Sequence, residues 1–219
     1  PSPEKAFKDF PYARVIAAIK YAEWGDKVPD TFKFTAVGKQ KINNKWQYST
    51  AFGPGQITLT TTADLFNEGQ VKNMAKGRYL KQFKKEGSGF KNYVRRFIQQ
   101  GKDRLKHSQT DLVPLKGVTV SPTQNRELYR QQLTKWRKDF GKEGKGNMPL
   151  RDHKKYYYRL MRYVLKDKLK LADTEKIKKR YPKLNRIQRL FRLYGPNNKN
   201  AKGFNTYVPK AYNFFLKHT

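Results

Sequence analysis

The chain contains no cysteine, and this absence excludes several classes of protein. There can be no disulfide framework, no thiolate nucleophile and no cysteine-based zinc site. A secreted fold that depends on disulfides is therefore not expected, although the compartment stays open. Apolar runs are also short: none approaches the roughly 18 residues of a membrane span, and no signal-peptide core stands at the start. We expect a chain without a membrane span.

Histidines and carboxylates are scarce. The three histidines, His107, His153 and His218, lack the paired spacing of a metal site, and we expect each to lie on the surface or to assist a phosphate contact. The chain has 17 acidic residues against 49 lysines and arginines. Most of the acidic residues are too scattered to converge on a metal as nuclease carboxylates do. We therefore expect no metal, no cofactor, no small-molecule substrate and no catalytic residue, and we predict that the protein is not an enzyme.

Two glycine clusters have the appearance of phosphate-binding loops, but neither fits. In GKEGKGNM, Asn147 and Met148 stand where a Walker loop needs lysine and a hydroxyl residue. The GSG at 87–89 lacks a third glycine, because residue 92 is asparagine, and no strand is predicted before it. A hinge between helices is the better interpretation of the second cluster.

Positive charge dominates the chain and is unevenly distributed. The net charge is +32, of which residues 1–75 carry +3 and residues 76–219 carry +29. Solubility needs a net charge of only about 2–8 in magnitude, so the excess indicates a polyanionic partner. We predict a near-neutral α+β domain at 1–70, a basic helical domain at 71–194, and an extended basic and aromatic arm at 195–219 that needs a partner to be ordered.

Local patterns predict an α+β fold. Pro11 and Gly25 bracket an apolar helix, and three stretches with a period of two follow at 31–37, 46–52 and 56–62. With the turn signal Gly53-Pro54-Gly55, these stretches predict a three-stranded antiparallel meander. Its core candidates are Phe32, Phe34, Trp46, Tyr48, Phe52, Ile57 and Leu59.

The pattern becomes helical after residue 70. Leu128, Leu133 and Trp136 follow a helix-capping sequence at 121–124, and Pro149 opens a long basic helix. A connection with a short possible strand is expected at 107–121. The predicted helices cover 71–86, 89–106, 122–140, 149–172 and 183–194, with apolar faces that include Phe90, Val94, Phe97, Ile98 and Leu105 in the second and Leu150, Tyr157, Leu160, Met161, Val164, Leu165 and Leu171 in the fourth.

Cations occupy the sides of these helices opposite the apolar faces. The helix over 149–172 carries one cation per turn, with Tyr156 and Tyr163 beside the row. Such a row destabilises an isolated helix, so an anion should lie along it. Lysine and arginine fix phosphates, and aromatic rings stack on unpaired bases. The predicted RNA-binding residues are Lys81, Lys84, Lys85, Arg95, Arg96, Lys102, Lys106, Arg137, Lys142, Lys145, Lys155, Tyr156, Arg159, Arg162, Tyr163, Lys166, Lys170, Lys179, Arg180, Arg189, Arg192, Lys199 and Lys202.

The bias toward Lys, Asn, Tyr and Phe, without cysteine, resembles that of ribosomal proteins, in particular those of fungal mitochondrial ribosomes. The resemblance implies a structural RNA-binding protein of a large ribonucleoprotein, with ribosomal RNA as partner and the mitochondrial matrix, or else a cytoplasmic or nucleolar particle, as location. Residues 1–70 are then expected to meet a neighbouring protein. A DNA-binding nucleoid, replication or mobile-element protein is the alternative, and a basic membrane-surface protein ranks third.

Overall fold

The computed structural model describes residues 9–34, 36–42, 45–110, 113–114, 150–197, 199–201 and 203–218, and helices form most of these residues. The helices are α1 (Tyr12–Trp24), α2 (Asp30–Lys33), α3 (Leu59–Phe66), α4 (Leu80–Lys84), α5 (Ser88–Thr110), α6 (Leu150–Ala172), α7 (Glu175–Arg180), α8 (Arg186–Tyr194) and α9 (Tyr207–Lys217). The strands are β1 (Val37–Ile42), β2 (Lys45–Phe52) and β3 (Val113–Pro114).

The predicted α+β fold with a three-stranded meander over residues 31–62 is wrong, because the chain is mainly helical. The first predicted strand contains α2, and the third is largely replaced by α3. Only the middle stretch forms the expected strand, β2. It pairs antiparallel with β1, and on its other side with the two residues of β3.

Helix α3 shows why the third strand was mispredicted. The run of threonines favours a strand by intrinsic preference, but Leu59, Ala63 and Phe66 recur at helical spacing and are all buried. Thr58 caps the helix, since its side chain accepts a hydrogen bond from the backbone N–H of Thr61. Burial and capping together outweigh a strand preference that spans only about 1 kcal/mol.

The chain forms two compact units. The terminal unit comprises Pro1–Val28 and Met161–Thr219, and the central unit comprises Pro29–Leu160. Helix α6 contributes residues to both. The division into three domains predicted from charge and local pattern stays a prediction.

The core of the central unit follows the predicted apolar faces closely. Four of the five apolar residues predicted for α5 are buried, whereas Leu105 is 43% exposed and was wrongly placed. Of the seven core candidates near the hairpin, Phe34, Phe52, Ile57 and Leu59 are buried, and the side chains of Phe32, Trp46 and Tyr48 lie outside the described residues.

The turn Gly53-Pro54-Gly55 is confirmed, and a tyrosine of α6 holds it. The hydroxyl of Tyr157 donates to the carbonyl of Phe52 and accepts from the N–H of Gly55 at 3.1 Å. Gly53 has a φ of +78°, and a Cβ there would overlap the ring of Tyr157. Glycine is therefore required both by the backbone conformation and by the closeness of the ring.

The terminal unit is built on α1 and α9. The α1 helix is confirmed almost to the residue, with Gly25 at φ +69° ending it. The predicted extended arm is wrong, because its second half forms α9. The rings of Tyr21 and Phe214 stack with centroids 4.6 Å apart, and the guanidinium of Arg14 donates to the carbonyl of Phe215 at 2.8 Å. This packing supplies the partner that the arm was expected to need.

Candidate nucleic-acid interface

Helix α6 separates a buried face from a cationic face, as its sequence predicts. Tyr157, Leu160, Met161, Val164 and Leu165 are buried, but Leu171 is 43% exposed and Leu169 is buried in its stead. The side chain of Leu150 lies outside the described residues. The predicted cationic row is accessible: Lys155, Arg159, Arg162 and Lys170 are exposed, and Lys166 is half-buried.

One cation of this row already has an anionic partner within the chain, a glutamate carboxylate. The guanidinium of Arg159 donates two hydrogen bonds, of 2.7 and 2.6 Å, to the carboxylate of Glu86, whose side chain is only 10% exposed. In α5, Arg95 forms a similar pair with Glu68 at 2.9 and 3.0 Å, and these bonds lower the pKa of Glu68. Two of the predicted phosphate contacts thus have carboxylate partners already. Sequence patterns missed both because the partners are 73 and 27 residues away.

The two tyrosines beside the row are half-buried. The ring centroid of Tyr156 lies 5.6 Å from that of Tyr93, and its hydroxyl lies against Gly89. Tyr163 is also half-buried. A base stacking on Tyr156 would have to use the part of the ring that Tyr93 leaves uncovered.

Arginines 189 and 192 were predicted to face outward, and for Arg192 this is wrong. Its side chain is 8% exposed, and it donates to the carbonyls of Phe204 and Pro196. Its guanidinium carbon lies 3.9 Å from the ring centre of Phe204. Arg189 is half-buried and donates to the carbonyls of Ala172 and Leu184 at 2.9 and 2.8 Å. Both arginines secure the backbone around α8.

A group of exposed lysines in the central unit lies on α4 and on either side of it. We call Lys72, Lys76, Lys81, Lys84 and Lys85 the α4 basic segment; all five are exposed. Three of them were predicted from sequence. The helix is anchored by Phe83, which is buried against Phe66 with ring centroids 5.0 Å apart.

A buried asparagine fixes the loop that leads into this segment. The side-chain amide of Asn67 donates to the carbonyls of Val71, Met74 and Ala75 at 3.0–3.1 Å. Its side-chain oxygen accepts from the N–H groups of Gly69 and Val71, both at 3.1 Å. Because the loop is held at five points, Lys72 and Lys76 project from a defined backbone.

A second basic surface lies on α7 in the terminal unit. Thr174 caps this helix, and Ile177 is its buried anchor. We call the remaining cations the α7 basic turn: Lys176, Lys178, Lys179 and Arg180, all exposed. Lys179 and Arg180 were predicted as RNA contacts. Lys176 and Lys178, which adjoin them, were not among the predicted contacts; no helix was predicted over 175–180.

The structure describes three of the remaining predicted RNA-binding residues, and the others lie outside the described residues. Arg96 and Lys102 of α5 are half-buried, and Lys199 is exposed. Arg137, Lys142, Lys145, Lys202 and the side chain of Lys106 lie outside the described residues.

His153 is not the surface residue that the sequence predicted. It is 4% exposed, and its Nδ1 lies 3.1 Å from the hydroxyl of Tyr93. Burial lowers the pKa of the imidazole to about 4. The imidazole is therefore neutral at physiological pH and closed off from solvent, so its role is in the core.

Comparison of the chain with protein-family models, with curated proteins and with solved structures finds no match. No helix in the described residues is long and apolar enough to cross a membrane. Within the same residues, no group of three or more histidine, aspartate or glutamate side chains is placed to hold a metal ion.

Proposed function

We propose that the protein binds RNA as a structural component of a large ribonucleoprotein, and that the α4 basic segment and the α7 basic turn contact its phosphates. The observation that carries this proposal is the exposure of these two groups of cations in a chain of net charge +32. By the resemblance of composition, a ribosome is the favoured particle and the mitochondrial ribosome the favoured kind.

The anchoring of both surfaces supports this function. In each, one buried apolar residue, Phe83 or Ile177, holds a short helix whose other side chains include several exposed cations. Such a helix presents positive charge at defined positions, which suits a fixed run of phosphates. We expect RNA affinity to fall steeply with salt, because each neutralised phosphate releases bound counterions.

The test is RNA binding by a double variant with a matched control. Lys84→Gln with Lys85→Gln removes two charges from the α4 basic segment, and Lys27→Gln with Lys217→Gln removes two exposed charges elsewhere. The first variant should weaken binding about tenfold at low salt and reduce the slope of log K against log salt by about 1.4, from roughly 0.7 per phosphate contact. Equal weakening in both variants would mean that net charge alone, and no defined surface, determines binding.

RNA and DNA binding are separated by competition and by nuclease treatment. Folded single-stranded RNA should compete better than duplex DNA of equal length, and ribonuclease should release the protein from large particles that survive deoxyribonuclease. Preference for a defined duplex at physiological salt would instead favour the DNA-binding alternative.

A further inference from the structure

The connection between α6 and α8 is closed at its base by two arginines of α8. Arg186 donates to both carboxylate oxygens of Asp173, with N–O distances of 2.8–3.2 Å. Arg189 donates to the carbonyls of Ala172 and Leu184, one at each end of the connection. The two ends are therefore held together, and the short helix α7 lies between them.

The backbone of α7 is also fixed within this connection. The hydroxyl of Thr174 donates to the carbonyl of Leu171 at 2.7 Å and accepts from the N–H of Ile177 at 3.4 Å. Ile177 itself is buried. After the helix, the N–H of Leu184 donates to the carbonyl of Tyr181 at 3.1 Å. The backbone beneath the α7 basic turn thus needs no ordering when a ligand binds, which lowers the entropic cost of binding.

The cations of the α7 basic turn point in three directions. Successive residues of an α-helix are about 100° apart around its axis, so Lys179, two residues after the buried Ile177, points almost directly away from the core. Lys178 and Arg180 lie about 100° from Lys179, on opposite sides. Lys176 falls on the flank of Arg180, which leaves Lys178 as the single member of the α7 basic turn on the other flank. All four are exposed, so charge is presented outward and on both flanks.

The side chains on both flanks are accessible to phosphates. Lys178 pairs with Glu175 at 3.3 Å, but the glutamate side chain is 77% exposed, so solvent screening makes this pair weak. The guanidinium carbon of Arg180 lies 5.4 Å from the ring centre of Tyr181. A guanidinium held over a ring can still donate N–H hydrogen bonds in its own plane. Lys183, which is exposed and three residues beyond the helix, adds a further cation.

This three-way arrangement selects the form of the anionic partner. A single row of phosphates, as in an unpaired strand, can follow the outward side and one flank, but it leaves the other flank unmatched. A flat anionic surface meets the outward side alone. The two strands of a base-paired stem supply two facing rows of phosphates, one on each side of a groove. In A-form RNA the major groove is deep and narrow, so phosphates of both strands come within reach of one short helix.

We propose that the α7 basic turn straddles a groove of a base-paired RNA stem, with Lys178 on the phosphates of one strand and Lys176 and Arg180 on those of the other. The proposal rests on the proposed function, since it assumes an RNA ligand, and it deepens that function by assigning double-stranded RNA to this surface. Phosphate contacts carry no sequence information, so the stem is recognised by its form.

The test compares two single-charge variants of the full chain on an RNA duplex, on oligouridylate of the same length and on a DNA duplex of the same sequence. Lys178→Gln removes the charge from the flank that only paired strands engage. It should weaken binding to the RNA duplex about threefold at low salt and reduce the slope of log K against log salt by about 0.9, while binding to oligouridylate stays unchanged. Lys179→Gln makes the same charge change on the outward side, so it should weaken binding to both RNA probes to a similar extent.

The outcomes separate this proposal from the proposed function. Circular dichroism spectra matching the wild type would show that both variants are folded. The stem proposal is overturned if Lys178→Gln weakens binding to both RNA probes equally, or to neither, and RNA binding by the chain would stand in both cases. Tighter binding to the DNA duplex than to either RNA probe, or a lack of RNA binding, would contradict the proposed function as well.

Discussion

The two units differ in how a titratable group withdrawn from solvent, buried in one unit and half-buried in the other, responds to pH. In the central unit, burial lowers the pKa of His153 to about 4, so the folded state resists taking up a proton. In the terminal unit, burial raises the pKa of Glu23 to about 7, so the folded state resists losing one. Acid should therefore weaken the central unit, and mild alkali should weaken the terminal unit. One physical cause, the cost of burying charge, acts in opposite directions on a base and an acid.

Removal of a buried cation from the terminal unit should have the largest effect on stability. Arg192→Met leaves the carbonyls of Phe204 and Pro196 without their donor, and we expect a loss of about 3 kcal/mol or more in the free energy of unfolding. Urea unfolding measures it. Arg180→Met, at an exposed site in the same unit, is the control and should change stability by less than about 0.5 kcal/mol. Equal effects would contradict the assignment of Arg192 to the core.

The next largest effect should be the change with pH in the stability of the terminal unit. The pKa of Glu23 rises from 4.5 in the unfolded chain to about 7 when folded, so stability is greatest below pH 4.5 and falls as pH rises to 7. The loss amounts to as much as about 3 kcal/mol, from about 1.4 kcal/mol per pKa unit. Amide hydrogen exchange in α1 at pH 5 and pH 8 measures this change, which Glu23→Gln should abolish. A pH dependence that survives the substitution would assign it to another group.

The stability of the central unit should change with pH by a comparable amount and in the opposite direction. The pKa of His153 falls from 6.5 to about 4 on folding, so its contribution to stability is complete above pH 6.5 and is lost as pH falls to 4. We expect a loss of up to about 3 kcal/mol, measured by hydrogen exchange in α5. His153→Gln, which stays neutral, should remove this dependence. If α1 lost protection in acid as much as α5, the contrast between the units would be wrong.

Surface ion pairs should have the smallest effect. Arg159→Gln breaks the pair with Glu86, and because the arginine side chain is 53% exposed, solvent screening limits the expected loss to about 1 kcal/mol. Arg95→Gln, which breaks the pair with Glu68, should cost no more. A loss above about 3 kcal/mol in either variant would mean that these arginines belong to the core and are poor candidates for RNA contact.

Periodicity predicted the long helices well and the short or irregular elements poorly. The buried faces of α1, α5 and α6 follow from apolar residues at helical spacing over 13 or more residues. Helix α9 was missed because Pro209 and the Gly, Asn and Lys residues before it suggested extended chain, yet a proline in the first turn is compatible with a helix. Its apolar residues repeat with helical spacing, and that signal was available.

The side chains whose surroundings were not predicted make contacts that exist only in the folded chain. Nothing local marks Arg159 as paired, since Glu86 is 73 residues away. The acceptors of Arg192 are only 4 and 12 residues away, but they lie in an irregular stretch after α8 whose path the sequence pattern does not predict. Glu23 gave one sequence signal that was not used: it is the only carboxylate in the apolar helix PYARVIAAIKYAEWG. An acid in such a setting is a candidate for a raised pKa. The hydrogen bond that the hydroxyl of Tyr207 donates to its Oε1, at 3.2 Å, could be found only from the fold.

The most direct measurement is a carbon-13 NMR titration of the glutamate side-chain carboxyls between pH 2 and 9, with Glu23→Gln used to assign the signal of Glu23. The account predicts a midpoint near pH 7 for Glu23 and a midpoint below its ordinary value for Glu68, whose pKa the Arg95 hydrogen bond lowers. A midpoint for Glu23 below pH 5 would contradict the contrast between the two units.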